Sequence, residues 1–279
     1  MIGIVALVLA AIIQPADTEA SILLYYAVFF LLALPFLGLG SRALFLCALA
    51  FGVIGPILMQ QLTPLLPEWS ESNPGILELF TEPVAVAGQL LLTGTYPALP
   101  YMTYLLVGLG IGRLDLRRAS VQAWLVGAGA ALAILARTAS GVLLYAVGGY
   151  EALLQSSGMS RDDLDEALVF GPDLHSDTNA WWLVILTPHA NMPLAIASSL
   201  GIGLLVLGVF LLVARRAGRW LELLYAMGAM TLTLYTAHLV ALSLELHEDQ
   251  PALWFGVNVL AAAAFAVAWS RRMGRGPLE

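Results

Sequence analysis

Residues Pro193–Ala214, PLAIASSLGIGLLVLGVFLLVA, run for 22 positions without a charge and then meet Arg215-Arg216. As a helix rising about 1.5 Å per residue, such a run is about 33 Å long, enough to cross a hydrocarbon core of roughly 30 Å. Comparable apolar runs lie at Ser21–Leu39, Ala43–Leu62, Ala98–Gly112, Ser120–Val147, Leu221–Leu242 and Ala252–Trp269. One more, Ile2–Ile13, has only 12 residues, too few to cross, and no basic residue precedes it as a signal peptide requires. It reads as a span whose beginning is missing. The expectation is an all-α, polytopic membrane helix bundle, a single transmembrane domain over 1–279 with seven full spans plus a truncated first one.

Composition agrees with that reading. Of 279 residues 60% are hydrophobic and 11% charged, with a mean hydropathy of +0.86. Soluble domains carry about a quarter charged residues, and this chain lacks the polar groups to cover a soluble surface. Soluble globules, nucleic-acid binders and disordered chains are excluded. All 12 basic residues are Arg, a composition expected of a GC-rich bacterial genome. The lone Cys47 sits in an apolar run and offers no disulfide framework.

The net charge of −7 divides by face. Arg42, Arg113, Arg117, Arg118, Arg215, Arg216, Arg219, Arg271, Arg272 and Arg275 fall on alternate connections, with only Asp115, Glu222 and Glu279 beside them, a balance of +7. The other face holds 16 acids and Arg161, a balance of −15, and Arg137 lies within a span. The positive-inside rule places the Arg-rich face and the C-terminus in the cytoplasm of a bacterial plasma membrane.

Two outer loops carry the non-membrane structure, 62–82 and 150–192. The first is acidic and proline-broken, with Glu68, Glu71, Glu78 and Glu82. In the second, Ser160-Arg161-Asp162-Asp163 fits a capping box, Leu164 and Leu168 share one face, and Gly171 ends the helix. Trp181 and Trp182 are expected to hold this loop at the headgroups.

Polar groups inside spans mark candidate sites. Arg137 lies 19 residues past Arg118, about 28 Å along a helix and so near the outer boundary. It either snorkels outward or pairs there, or it binds an anionic or carbonyl group. Thr231, Tyr235 and His238 fall on one stripe, which serves either hydrogen bonding between helices or a cavity with His238 as acid and base. His189, between Pro188 and Pro193, is a loop staple or a site residue. His175 and His247 read as solvated. The four His match no metal-ligand spacing, so no metal is expected. Gly108 and Gly112 form a small-xxx-small pair for close helix packing.

Two stretches carry a family resemblance. One is Thr93-Gly94-Thr95-Tyr96-Pro97-Ala98-Leu99-Pro100-Tyr101, running on to Gly108-Leu109-Gly110-Ile111-Gly112-Arg113-Leu114-Asp115. The other is Pro188-His189, the Gly-rich span after it, and Gly228-Ala229-Met230-Thr231-Leu232-Thr233-Leu234-Tyr235-Thr236-Ala237-His238. Over roughly Ile22 to Trp269 the chain resembles bacterial multi-span relatives of heparan-α-glucosaminide N-acetyltransferase, in the transmembrane acyltransferase group. The resemblance implies transfer of an acetyl or acyl group from cytoplasmic acyl-CoA, acetyl-CoA for instance, to a glycan, glycolipid or other acceptor on the outer face. His238 and His189 would then be catalytic, with Arg137, Thr231, Tyr235 and Tyr96 binding substrate. The family's Arg- and Asp-containing first helix has no counterpart here, so the chain is either shortened at its N-terminus or an inactive relative. A transporter or flippase-like carrier and a silent membrane subunit are the non-enzymatic alternatives.

Overall fold

The computed structural model describes residues 22–67, 74, 77–173, 178–217, 221–242, 250–274 and 276–278, and every regular element among them is helical. The expected Ile2–Ile13 span lies outside the described residues, as do Glu68, Glu71, His175, Arg219, His247 and Arg275.

In chain order the helices are α1 (Leu23–Ala33, with a 3-10 turn to Phe36), α2 (Ser41–Leu62) and α3 (Pro83–Gly88, entering a π-turn Gln89–Thr93). Then come α4 (Ala98–Gly112), α5 (Ala119–Gly141, with a π-turn Val142–Ala146), α6 (Gly149–Ser157) and α7 (Arg161–Phe170). The set closes with α8 (Pro193–Ala217), α9 (Glu222–Gly228), α10 (Thr231–Leu242) and α11 (Pro251–Met273). Among the described residues four stretches are long and apolar enough to cross a bilayer: Ser41–Leu65, Ala119–Ala146, Pro193–Arg216 and Pro251–Met273.

The other expected spans take different forms. Ala98–Gly112 and Leu23–Phe36 are shorter apolar helices. Pro35, without an N–H, sits where α1 tightens into its 3-10 end. Leu221–Leu242 is broken into α9 and α10, bent by 75°, and is a fifth span only if the pair crosses together. At that bend the Thr231 hydroxyl donates to the Gly228 carbonyl at 2.9 Å, which gives Thr231 a local structural job. Hydropathy sums composition and does not register such a break.

Two antiparallel pairs make the core of the bundle. In the first, α2 lies along α4, with Gly52 against Thr103, Gly55 against the Leu99–Pro100 backbone and Gly110 under the Phe45 ring. Gly110 is therefore the close-approach residue of α4, whereas Gly108 and Gly112, the pair expected from spacing, face open space. In the second, α5 lies along α8, where Gly129, Gly201 and Gly208 bring backbone to backbone. Small residues admit such approach where no water drives association.

Arginines gather at one end of these pairs. Arg113 Nη2 donates to the Leu37 carbonyl at 2.5 Å, and Arg215 Nη1 lies 3.4 Å from Gln122 Oε1, beside the 113–118 turn that Gln122 also caps at Leu116. Arg271 and Arg272 are exposed at the end of α11, and among the described residues no hydrogen bond ties them to the other Arg-bearing ends.

A helical cap closes the opposite end. Ser160 and Asp163 form the expected capping box at α7, Leu164 and Ala167 face inward, and Gly171 ends the helix at φ +114°. Beneath α6 and α7 a core of Met59, Leu144, Leu153, Leu164, Ile185 and Met192 surrounds Trp182. Trp182 is fully buried and Trp181 covers Gly149, so both indoles pack the cap. Gln60, also fully buried, donates through Nε2 to the Asn179 carbonyl at 2.7 Å and fastens the cap to α2.

Candidate functional site

The cap end carries the cleft that the fold makes available to a ligand. Its first wall is α1, through Ile22, Tyr26, Phe29 and Phe30; its second is the start of α4, through Tyr101, Tyr104 and Leu105. The third is the turn Thr187–Asn191 with Ala195, Ile196 and Ser199 of α8. The volume is about 640 Å³, within the roughly 300–1,000 Å³ usual for sites that take one small organic molecule.

Local sequence explains each wall. Pro97 opens α4, and Gly94 is required just before it, because a Cβ there would collide with the Tyr25 hydroxyl and the Gln89 carbonyl. That tight passage sets Tyr96 edge-on to Tyr25 at 5.6 Å and to Tyr101 at 5.8 Å, while Phe29 stacks on Tyr101 at 5.6 Å. These rings lock one another at the separations aromatic pairs prefer. On the opposite side the segment Thr187-Pro188-His189-Ala190-Asn191 turns with His189 at φ +61° and Asn191 at φ +56°, both left-handed without being glycine. Such backbone is costly and persists only when its surroundings impose it. Here the Asn191 amide donates to the His189 carbonyl at 2.8 Å, and the Thr187 hydroxyl donates to the Leu168 carbonyl of α7 at 2.6 Å.

His189 is the imidazole at the mouth. Its ring meets Tyr96 edge-on at 6.3 Å, and its face is open to a molecule entering the cleft. The cleft can therefore hold an apolar body between aromatic walls and offer a proton acceptor to a group at its opening. Deeper in, the Tyr104 and Ser199 hydroxyls bond to each other.

Of the residues singled out from sequence, the structure brings three into one neighbourhood. Tyr96 touches His189, and Tyr235 of α10 accepts a hydrogen bond from the Ile22 N–H at 3.0 Å at the top of the α1 wall. The other three are elsewhere. His238, one turn past Tyr235, is exposed and outside the cleft. Arg137 is exposed on α5, which does not line the cleft, and among the described residues it makes no ion pair. Thr231 is exposed at the α9–α10 bend. Sequence reasoning passed over Tyr26, Phe29, Phe30, Tyr101 and Tyr104, treating them as span filler. Their signal was aromatic clustering at helical spacing close to the outer ends of two neighbouring spans.

Among the described residues no Arg or Lys side chain lines the cleft, so its wall offers no cation of the kind that the phosphates of coenzyme A call for. Among the described residues no group of three His, Cys, Asp or Glu side chains could hold a metal ion. No protein-family model, curated protein or solved structure matches this chain.

Proposed function

We propose that this chain is a membrane-embedded, acyltransferase-like protein whose acceptor binds in the aromatic cleft, with His189 taking the proton from the acceptor's hydroxyl or amine. The observation that carries the reading is the position of His189: an imidazole on a conformationally costly turn, at the opening of an apolar cavity of about 640 Å³. Tyr96 orients the ring, and Tyr235 fixes the top of α1. His238, Arg137 and Thr231 have no part in this version of the site.

The acyl donor rests on the family resemblance alone. If it is acetyl-CoA, phosphates held at the Arg113, Arg117 and Arg118 end leave the pantetheine arm to carry the thioester through the bundle toward His189. There the acceptor's oxygen or nitrogen would take the acyl group as the C–S bond breaks, and CoA would leave as the thiol with the proton that His189 removed. The finer topology belongs to the same proposal: seven full spans, the Arg-rich face and C-terminus in the bacterial cytoplasm, and a glycan or glycolipid acceptor outside. A carrier is the second reading, favoured because among the described residues no carboxylate lines the cleft to serve as a partner acid.

Purified chain in liposomes, given radiolabelled acetyl-CoA and glucosamine, tests the assignment. His189→Ala should lower kcat by about 10²-fold or more, the scale of a lost general base, while His238→Ala leaves the rate unchanged. Undiminished transfer by His189→Ala sinks the assignment, and solute flux without any acyl donor favours the carrier.

A further inference from the structure

The geometry points to a single-tailed, uncharged amphiphile as the molecule this cleft accepts, its tail entering sideways from the bilayer between α1 and α8 and its hydroxyl or amine head stopping at His189. The inference deepens the acyltransferase-like reading and rests on the cleft being the acceptor site.

Three observations carry it. First, the cleft is open along its side. Among the described residues α1 packs along α4 and makes no comparable contact with α8, which leaves room for the cleft between them. Ser199, almost two turns inside α8, and Tyr26, one turn inside α1, are both exposed and both line the cleft. The cleft therefore reaches the surface of the bundle on its α1 and α8 sides.

Second, polar groups in the wall are few against its apolar surface. Thr187, His189 and Asn191 lie on the turn at the mouth, the Tyr104 and Ser199 hydroxyls bond to each other, and Phe29, Phe30, Leu105, Ala195 and Ile196 supply apolar surface. From Ile22 to Phe30 the α1 wall descends eight residues, about 12 Å. A sugar placed there would set most of its hydroxyls against Phe, Leu and Ile, at the cost of desolvating each one left without a partner. A hydrocarbon tail loses nothing and gains contact with the aromatic faces.

Third, charge and size limit the head and the number of tails. Among the described residues no Asp, Glu, Arg or Lys side chain lines the cleft, so a phosphate or ammonium head finds no permanently charged counter-ion there. About 640 Å³ suits one small molecule and not a two-tailed phospholipid.

The test uses the full chain in phosphatidylcholine nanodiscs and a dodecanol bearing a diazirine near the tail end. Illumination followed by peptide mass spectrometry should place label on the peptides containing Tyr26–Phe30 and Ile196–Ser199. Labelling should saturate, and untagged dodecanol should compete while glucosamine does not. Ala195→Trp, which fills the cleft, should weaken saturable labelling by about tenfold or more, because the displaced methylenes forfeit their burial. Mapping on the unaltered chain gives an answer even if that variant misfolds. Non-saturating label spread over Leu46, Leu49 and Leu135, which face outward, would mean bulk lipid contact and overturn the inference. Displacement by glucosamine would overturn it as well. The two proposals fail separately. With dodecanol and dodecylamine added as acceptors to the transfer assay, saturable labelling without acetyl transfer to them or to glucosamine sinks the enzyme reading alone, and acetyl transfer to glucosamine with non-saturating label sinks the amphiphile alone.

Discussion

Replacing Gly201 by Ala tests the seam on which the bundle is built. A Cβ at Gly201 would lie 2.5 Å from the Ala133 backbone nitrogen, 2.8 Å from the Gly129 carbonyl oxygen and 3.0 Å from Ala133 Cα. All three atoms are backbone, so no side-chain rotation relieves the overlap. Ordinary contact begins near 3.5 Å, so α5 and α8 must part by about 1 Å, and such a gap forfeits a quarter to a half of each dispersion contact. Gly203, two residues along the same helix, has nothing within 4 Å of its added Cβ. Both substitutions gain the same helix propensity, about 1 kcal/mol, which cancels in the comparison. What remains is the overpacking cost, about 2–3 kcal/mol, or roughly 30- to 150-fold in the folding equilibrium. Unfolding of the purified chain by dodecyl sulfate in mixed micelles, followed by tryptophan fluorescence and circular dichroism, measures that difference. Equal stability of Gly201→Ala and Gly203→Ala would refute the close α5–α8 contact.

Three further outcomes are expected. Trp182→Ala should cost about 3–5 kcal/mol by opening the cap core, and hydrogen exchange should accelerate in α6 and α7 while the α5–α8 seam stays protected. Ser160→Ala should remove about 1 kcal/mol of local stability, read as faster exchange of the Asp162 and Asp163 amides with little change elsewhere. Gly94→Ala should destabilise by about 1–3 kcal/mol, because its methyl meets the Tyr25 hydroxyl and the Gln89 carbonyl; a thermal melt with a wild-type midpoint would argue against the packing of that turn.

What was legible in the sequence was what is decided locally. The α7 capping box depends on Ser160 and Asp163, three residues apart, and nothing distant competes with it. The break before α4 is equally local, written in Gly94 and Pro97. Rotation about a helix axis is different. When a helix is apolar all round, its sequence does not say which face meets a neighbour. Gly108, Gly110 and Gly112 are equivalent by composition, yet only Gly110 finds a ring, that of Phe45. The same indeterminacy separates His238 from Tyr235: one turn apart, one exposed beside the bundle and the other against Ile22. Arg137 likewise is exposed on α5 and does not line the cleft. The aromatic walls escaped notice because they form only when α1, α4 and α8 come together, and no short segment holds more than one of them.

The bond from the Thr187 hydroxyl to the Leu168 carbonyl has a mechanical meaning. Leu168 belongs to α7, whose Arg161, Asp162, Asp163, Asp165 and Glu166 are exposed, and Thr187 stands two residues before His189. A displacement of α7 is thus passed to a short turn flanked by Pro188 and Pro193, with little slack to absorb it. The backbone that carries His189 is in this way coupled to a helix that itself lines no part of the cleft.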